Sequence, residues 1–341
     1  MPNINYQYLS LANIAWPAPG AAVAGGVTTC AGAPANILPA LGTPIGAAWP
    51  VIDLAALLIG VYPGPALIDL TEMQWRLATL RAAAQTTLAG GLGSTPLIGA
   101  VDPSEQATLS YHMGSVLTAL MGIIVVPALN FMHLRRYIAI GGVVNFVTPQ
   151  RPDFISFGGA NIQIWEAKGR VGGAVTLPLR AGFTQTLAVN TVTILGVPIV
   201  PASRICCLAR RSMAGTWDIH VTDPTVQIPT VGDANFRGKL YAEYYRPFNE
   251  VLNLSTSTQA ANFANQTFAT APIQGADVTI GIDQRIAKAL NDYLRSTISA
   301  ADLTGIVEPI LTTGYTFTQD STRYVNANGL YITVGDSWTS H

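Results

Sequence analysis

The densest group of side chains capable of chemistry is formed by Asp218, His220 and Asp223. Residues 217–222 alternate between apolar and polar types, which predicts a half-buried strand. On such a strand Asp218 and His220 share a face, so the carboxylate can orient the imidazole as the base of a nucleophile. No serine or cysteine stands in a recognisable nucleophile elbow to complete the group. A hydrolase centred on His220 is therefore an alternative, and a solvated strand edge is the simpler interpretation.

Cys206 and Cys207 are adjacent and follow Arg204 closely in the sequence. A thiol near cationic side chains can have a lowered pKa and act as a nucleophile, although such cysteines are more commonly core residues. The third cysteine, Cys30, leaves an odd count without regular spacing. This pattern favours reduced thiols in an intracellular protein over a disulfide framework.

Two pairs of adjacent arginines remain, Arg135 with Arg136 and Arg210 with Arg211. Guanidinium groups bind phosphate without reading sequence. Neither pair is interleaved with the aromatic residues or lysines that stacking on bases requires. Ion pairs with acidic groups of a neighbouring subunit explain the arginines equally well. We predict that these four side chains contact RNA weakly or lie at an interface.

The sequence contains no recognisable metal or cofactor motif. Its four histidines include His112 and His133, which are too far apart in sequence to form the i, i+4 pair of a zinc site. No H-E-x-x-H or C-x-x-C spacing occurs, and the glycine-rich residues 90–94 lack the spacing of a phosphate-binding loop. We predict no catalytic residue, no metal site and no cofactor, and therefore a protein that is not an enzyme.

The elements that must position these residues come in the order helices, strands, helices. Helical patterns occupy residues 53–68, 71–89, 103–126, 283–297 and 302–311. Strand composition occupies residues 154–157, 162–166, 174–179, 191–195 and 217–222, while 238–245 fits a strand or a short helix and 253–275 fits a polar surface loop. This order predicts an α+β fold with a helix-rich core and a β-rich mid-chain insertion.

The helix predicted at 103–126 has a strong start signal, with Asp102 as N-cap, Pro103 in the first turn and Glu105 at N3. Residues 113–132 form an uncharged stretch of twenty residues, long enough to cross a bilayer. Pro127 interrupts this stretch, and a buried central helix is apolar all round in the same way. We favour the buried helix and expect no membrane contact, with an integral membrane protein spanning at 113–132 as an alternative.

Charge is distributed unusually along this chain. No Asp, Glu, Lys, Arg or His precedes Asp53, and residues 1–52 are rich in Ala, Gly and Pro, which predicts an extended uncharged arm. Only 11% of the 341 residues are charged, against about 25% in an ordinary soluble domain. A surface so poor in charge carries apolar patches, and such patches mark interfaces. We therefore predict an obligate homo-oligomer.

The size, the helix placement and the low charge over the whole chain resemble coat proteins of small double-stranded RNA viruses of the partitivirus-like kind. The arm has no positive side chain, whereas coat proteins that condense single-stranded RNA commonly carry a basic arm. The resemblance implies a dimer building block, an icosahedral shell around double-stranded RNA and a polymerase inside. It also implies no catalytic residue in the coat, and a location in the virion and the host cytoplasm.

Under this resemblance the chain divides into four predicted segments. They are the uncharged arm (1–52), the first part of a helical shell core (53–145), a β-rich insertion or protruding region (146–280) and the second part of the shell core (281–341).

Overall fold

The computed structural model describes residues 5–9, 70–86, 92–125, 131–139, 141–158, 161–194, 196–222, 233–312, 318–319, 322–325 and 328–336. These residues form seven α-helices: α1 (Leu70–Ala83), α2 (Pro103–Val125), α3 (Leu134–Ala139), α4 (Thr176–Thr186), α5 (Ala234–Leu254), α6 (Gln284–Leu294) and α7 (Ala300–Thr312).

They also form seventeen strands: β1 (Asn5–Leu9), β2 (Ala84–Thr86), β3 (Leu92–Ser94), β4 (Met132–His133), β5 (Val143–Phe146), β6 (Phe154–Gly158), β7 (Asn161–Val171), β8 (Val189–Ile194), β9 (Val197–Ile199), β10 (Ser203–Arg211), β11 (Trp217–Thr222), β12 (Gln259–Phe263), β13 (Gln266–Ile273), β14 (Val278–Asp283), β15 (Thr318–Gln319), β16 (Arg323–Val325) and β17 (Leu330–Val334). The predicted α+β fold class is confirmed.

Contacts divide the chain into two units. The first comprises Met1–Trp49 and Ala82–Thr230, and the second comprises Pro50–Arg81 and Val231–His341. The predicted insertion (146–280) is thus shared between them, with residues 146–230 in the first unit and 231–280 in the second. The assignment of shell core and insertion stays a prediction.

The first unit is built around a mixed six-stranded sheet in the order β1-β11-β10-β7-β6-β4. Its central pair, β7 and β10, is parallel, and α2 and α4 both pack against that pair. Successive residues of a strand face opposite sides of a sheet. Gly169 of β7 lies against α2, where an added Cβ would be 1.7 Å from the carbonyl oxygen of Ser110. Glu166 and Lys168 lie an odd number of residues from Gly169 on the same strand. Their side chains therefore face the other side of the sheet, where α4 packs.

Helix α2 begins where the sequence predicts. The carboxylate of Asp102 accepts hydrogen bonds from the backbone N–H groups of Ser104 (2.7 Å) and Glu105 (3.2 Å), and Glu105 accepts one from the Asp102 N–H at 3.2 Å. This reciprocal arrangement satisfies N–H groups that have no partner inside the helix. From Met113 to Met121 most side chains of α2 are buried, which confirms a buried helix in the first unit.

A second, three-stranded antiparallel sheet of the first unit has the order β5-β8-β9. Tyr137 of α3 donates its hydroxyl hydrogen to the carbonyl of Thr193 on β8 at 3.1 Å. Both outer strands, β5 and β9, are edges of this sheet among the residues that the structure describes.

The second unit contains an antiparallel six-stranded sheet in the order β12-β13-β14-β17-β16-β15, together with α5, α6 and α7. Asp233 caps α5 by accepting the N–H of Phe236 at 2.8 Å. Helices α5 and α7 approach closely at Gly238, where an added Cβ would lie 1.8 Å from the carbonyl oxygen of Ala300. The predicted helices at 283–297 and 302–311 correspond to α6 and α7 and are confirmed.

Three sequence predictions of secondary structure are wrong. Residues 174–179 were expected to form a strand, but residues from Thr176 onward lie in α4, because Leu179 and Phe183, four residues apart, pack on the sheet as one helical face. Residues 253–275 were expected to form a surface loop, but they contain β12 and β13. The helix expected at 71–89 ends at Ala83, where β2 begins and pairs with β3.

The other strand predictions hold, including 154–157, 162–166, 191–195 and 217–222. Residues 238–245, predicted as strand or short helix, belong to the 21-residue helix α5. The helix expected at 53–68 lies outside the described residues. So does the uncharged arm, apart from β1, which pairs in parallel with β11. Among the described helices, none combines the length and the apolar character that a bilayer crossing requires.

Candidate functional site

His220 lies on β11, on the face of the sheet that it shares with Asp218. The side chain is buried, and neither ring nitrogen has a hydrogen-bond partner among the described residues. Asp218 instead pairs with Arg210, whose guanidinium lies 3.5 Å away, because strand pairing sets these two residues opposite each other. The predicted orientation of the imidazole by Asp218 is therefore not formed, and Asp223 lies outside the described residues.

Burial and, second, the positive charge of Arg210 lower the pKa of His220 to about 4, against the opposing charge of Asp218. The imidazole is consequently neutral near pH 7. A general base needs a nucleophile within hydrogen-bond reach and a partner that orients its ring. The described residues supply neither of these at His220.

The four predicted contact arginines occupy different environments. Arg135 is exposed, whereas Arg136, its neighbour on α3, is buried. Arg210 is paired with Asp218, and the Nε of Arg211 donates to the Ser94 hydroxyl at 2.6 Å. Only Arg135 thus combines an exposed side chain with the predicted role, and contact with nucleic acid or a neighbouring subunit stays a prediction for all four.

Cys206 and Cys207 are both fully buried on β10, and neither is part of a disulfide. Burial raises the pKa of each thiol, so neither is an activated nucleophile. The two thiols face opposite sides of the sheet. Cys207 contacts Thr118 of α2, while Cys206 packs with Leu179 and Phe183 of α4. Their interpretation as core residues is confirmed, and Cys30 lies outside the described residues.

Beneath α4 the structure places a charged cluster that sequence reasoning missed. Lys168 donates from Nζ to Oε1 of Glu166 and to Oε1 of Gln185, both at 2.5 Å. Asp153, just before β6, accepts the N–H of Ala167 at 3.0 Å. We call Asp153, Glu166, Lys168 and Gln185 the α4 cluster. The spacing of Glu166 and Lys168 on a predicted strand already indicated a shared face, but Asp153 and Gln185 come from other elements.

The pKa values of both carboxyl groups in the α4 cluster are raised. Burial and, second, the charge of Asp153 raise the pKa of Glu166 to about 8, against the opposing charge of Lys168. Burial also raises the pKa of Asp153, against the Ala167 N–H and the charge of Lys168. The Glu166 carboxyl group also interacts with the side chain and the backbone N–H of Asp153. The cluster can therefore hold and release a proton inside the fold.

In the second unit a polar groove of about 460 Å³ lies at the start of α6. It is lined by the β12–β13 turn and by Asp283, Gln284 and Arg285. The carboxylate of Asp283 is buried and already accepts both the backbone N–H and the guanidinium of Arg285. The groove therefore contains a helix cap whose carboxylate already has hydrogen-bond donors. Among the described residues, no group of three or more His, Cys, Asp or Glu side chains has the arrangement of a metal site.

The β5–β8–β9 sheet presents apolar side chains to the solvent. Val143 on β5 is 57% exposed and Val197 on β9 is 59% exposed. Val147 and Val200, just beyond these strands, are equally open. No charged residue occurs in residues 137–150 or 181–203, which include all three strands. Edge strands of monomeric proteins are commonly protected by charge; these strands contain none, and Arg151 lies over the Phe146 ring of β5 at 3.7 Å.

In comparisons with known proteins, no family model, no curated protein and no solved structure matches the chain.

Proposed function

We propose that this chain is a structural coat subunit that assembles with copies of itself into a closed shell around a genome. The supporting observation is the uncharged β5–β8–β9 sheet, whose two edges expose Val143 and Val197. Two edges on one subunit allow each copy to contact more than one neighbour, and repetition of such contacts under closed symmetry produces a shell.

The uncharged arm supports the same proposal from the sequence. Residues 1–52 contain no charged side chain, so electrostatic repulsion does not oppose the packing of arms from neighbouring copies. The arm also lacks the cations that condense RNA by neutralising phosphates. The shell therefore encloses its genome with weak, non-specific contacts, for which Arg135 is the most accessible of the four predicted arginines. This agrees with a partitivirus-like coat that packages double-stranded RNA from a dimer building block, in the virion and the host cytoplasm.

The proposal is tested by the particle size of the full-length protein. We expect sedimentation velocity and electron microscopy to show megadalton closed particles. Val143→Lys places a charge on the exposed β5 edge and is expected to reduce particle yield at least tenfold, with unchanged circular dichroism. The matched control is Thr256→Lys, which adds the same charge at an exposed polar residue of the second unit. A monomeric full-length protein at micromolar concentration would contradict the proposal, and equal effects of both variants would contradict the role of β5.

A further inference from the structure

Helix α4 is held against the sheet by a close contact directly over the α4 cluster. An added Cβ at Gly182 would lie 2.3 Å from Sγ of Cys206 and 3.2 Å from both Cγ of Glu166 and Cε of Lys168. Glycine at this position therefore lets the helix backbone cover the charged pair. Leu179 and Phe183 complete the apolar part of the same contact. Helix α4 excludes water from the α4 cluster. An increase of charge beneath the helix therefore destabilises this contact.

The groups around Glu166 come from four elements. Lys168 lies on the same strand, Asp153 precedes β6, Cys206 lies on β10, and α4 contributes the amide of Gln185. The remaining cations on this face of β7 and β10 have other acceptors. Arg204 donates to the carbonyl of Val189, Arg170 to that of Ala174, and Arg210 to Asp218. Lys168 is thus the cation that the structure assigns to the two carboxyl groups.

We propose that the α4 cluster is a pH-sensitive latch, which holds α4 on the sheet while Glu166 carries its proton and releases the helix when that proton is lost to water. With Glu166 protonated, the cluster contains one carboxylate, Asp153, and one ammonium, Lys168. After the proton leaves, two carboxylates share one ammonium, which already contacts Oε1 of Glu166. A buried pair of carboxylates that one ammonium compensates only in part favours a rearrangement that admits water.

The pH range follows from the direction of the shift. The pKa of Glu166 is raised from 4.5 to about 8 in the folded protein. The stabilising effect of this protonated group is therefore complete below about pH 4.5 and is lost as the pH rises through 8. The latch is closed in neutral and mildly acidic solution and opens on the alkaline side. This behaviour belongs to the subunit itself, so a failure of the latch leaves the shell proposal untouched.

Hydrogen exchange of the full-length protein tests the latch. Between pH 6 and pH 9.5 we expect the amides of residues 176–186 to gain at least tenfold in exchange, after correction for the intrinsic chemical rate, while those of residues 103–125 stay protected. Glu166→Gln keeps the side chain neutral at every pH and is expected to abolish the gain. Glu105→Gln, the same substitution at an exposed residue of the first unit, is the matched control and is expected to retain it.

Two further variants are expected to change the opening in opposite directions. Asp153→Asn removes the charge that raises the pKa of Glu166 and leaves one carboxylate for one ammonium, so a smaller gain in exchange is expected. Lys168→Met removes the charge that lowers this pKa and leaves two carboxylates without an ammonium, so a larger gain is expected. A merely structural loss would change the gain in the same direction in both variants. Alkylation of Cys206 by N-ethylmaleimide, located by peptide mass spectrometry, is expected to follow the same order.

Several outcomes would overturn the latch. They are a corrected exchange rate of α4 in the natural sequence that does not depend on pH, changes of the same sign in the gain of Asp153→Asn and Lys168→Met, and a pH-dependent opening that persists in Glu166→Gln. Should Glu166→Gln fail to fold, the two opposite changes alone decide the question.

Discussion

At the scale of single residues, one face of the β7–β10–β11 region buries ionisable groups in their neutral forms. Glu166 holds a proton up to about pH 8, and His220 stays deprotonated down to about pH 4. Both shifts have burial as their first cause, since a low-dielectric interior disfavours the charged form of either group. Loss of the Glu166 proton destabilises the first unit as the pH rises, and protonation of His220 destabilises it as the pH falls.

His220→Leu tests the acid side. The lowered pKa of His220 contributes stability that is complete above pH 6.5 and is lost as the pH falls towards 4. Leucine cannot be protonated and has no nitrogen that needs a partner. We therefore expect the variant to remove up to about 3 kcal/mol of acid destabilisation between pH 6.5 and 4. Urea unfolding at pH 4.5 and 7 measures this difference.

The same variant also addresses the hydrolase alternative. A broad hydrolase screen of the natural sequence and of His220→Leu is expected to show no difference in activity, because the described residues place no nucleophile at the ring. A hydrolytic activity that disappears only in the variant would revive that alternative. A variant that unfolds more readily at pH 4.5 than the natural sequence would show that the imidazole has a partner in solution.

At the scale of secondary-structure elements, the first unit depends on two helices that approach one sheet at glycines. Helix α2 meets β7 at Gly169, and α4 meets β10 through its own Gly182. The two contacts differ in kind. At Gly169 the opposing atom is a backbone carbonyl oxygen, which cannot move without displacing the helix. At Gly182 the nearest opposing atoms belong to side chains.

Gly169→Ala is expected to destabilise the first unit by about 3 kcal/mol or more, because its Cβ would overlap the carbonyl oxygen of Ser110. Thermal unfolding measures the loss. The matched control is Gly305→Ala in α7, where an added Cβ meets nothing within 4 Å. Alanine favours helix over glycine, so the control is expected to gain about 0.5–1 kcal/mol. A similar small change in both variants would mean that α2 does not approach β7 closely.

At the scale of the whole molecule, burial removes some of the few charged side chains from the surface. Of the 18 basic and 19 acidic side chains, several are buried and do not help to keep the protein dissolved. They are Arg76, Arg136, Glu166, Glu243 and Asp283. A surface from which even these charges are withdrawn favours association with other copies over a dissolved monomer.

Deletion of the uncharged arm tests this view of assembly. We expect a chain lacking residues 2–50 to lose particles while its subunits remain folded. That deletion also removes β1 from the edge of the six-stranded sheet. A second deletion, of residues 10–50, keeps β1 and is expected to lose particles as well. Light scattering and circular dichroism report assembly and folding separately. Normal particles from the second deletion would assign the effect to β1 and contradict a role for the arm.

Features with a local cause were predictable from the sequence. The Asp102 cap and the apolar run after it define α2, because a helix start depends on residues within one turn. The alternation at residues 217–222 defines β11, and the stripe of Ile286 and Leu290 defines α6. The absence of charge before Asp53 is likewise a property of composition alone. These signals determined the fold class and the expectation of self-association.

Features that depend on distant partners were decided only by the tertiary structure. Residues 259–273 are rich in Ala, Asn, Gln and Thr, yet they form strands because β14 provides a pairing surface for β13. Asp218 bonds Arg210 and not His220, because the β10–β11 register places the two opposite each other. The α4 cluster joins Asp153, Glu166 and Gln185, which are separated in sequence and meet only when α4 covers the sheet. Burial then determines the protonation state of the carboxyl groups. The extent of burial depends on the tertiary fold and not on the local sequence.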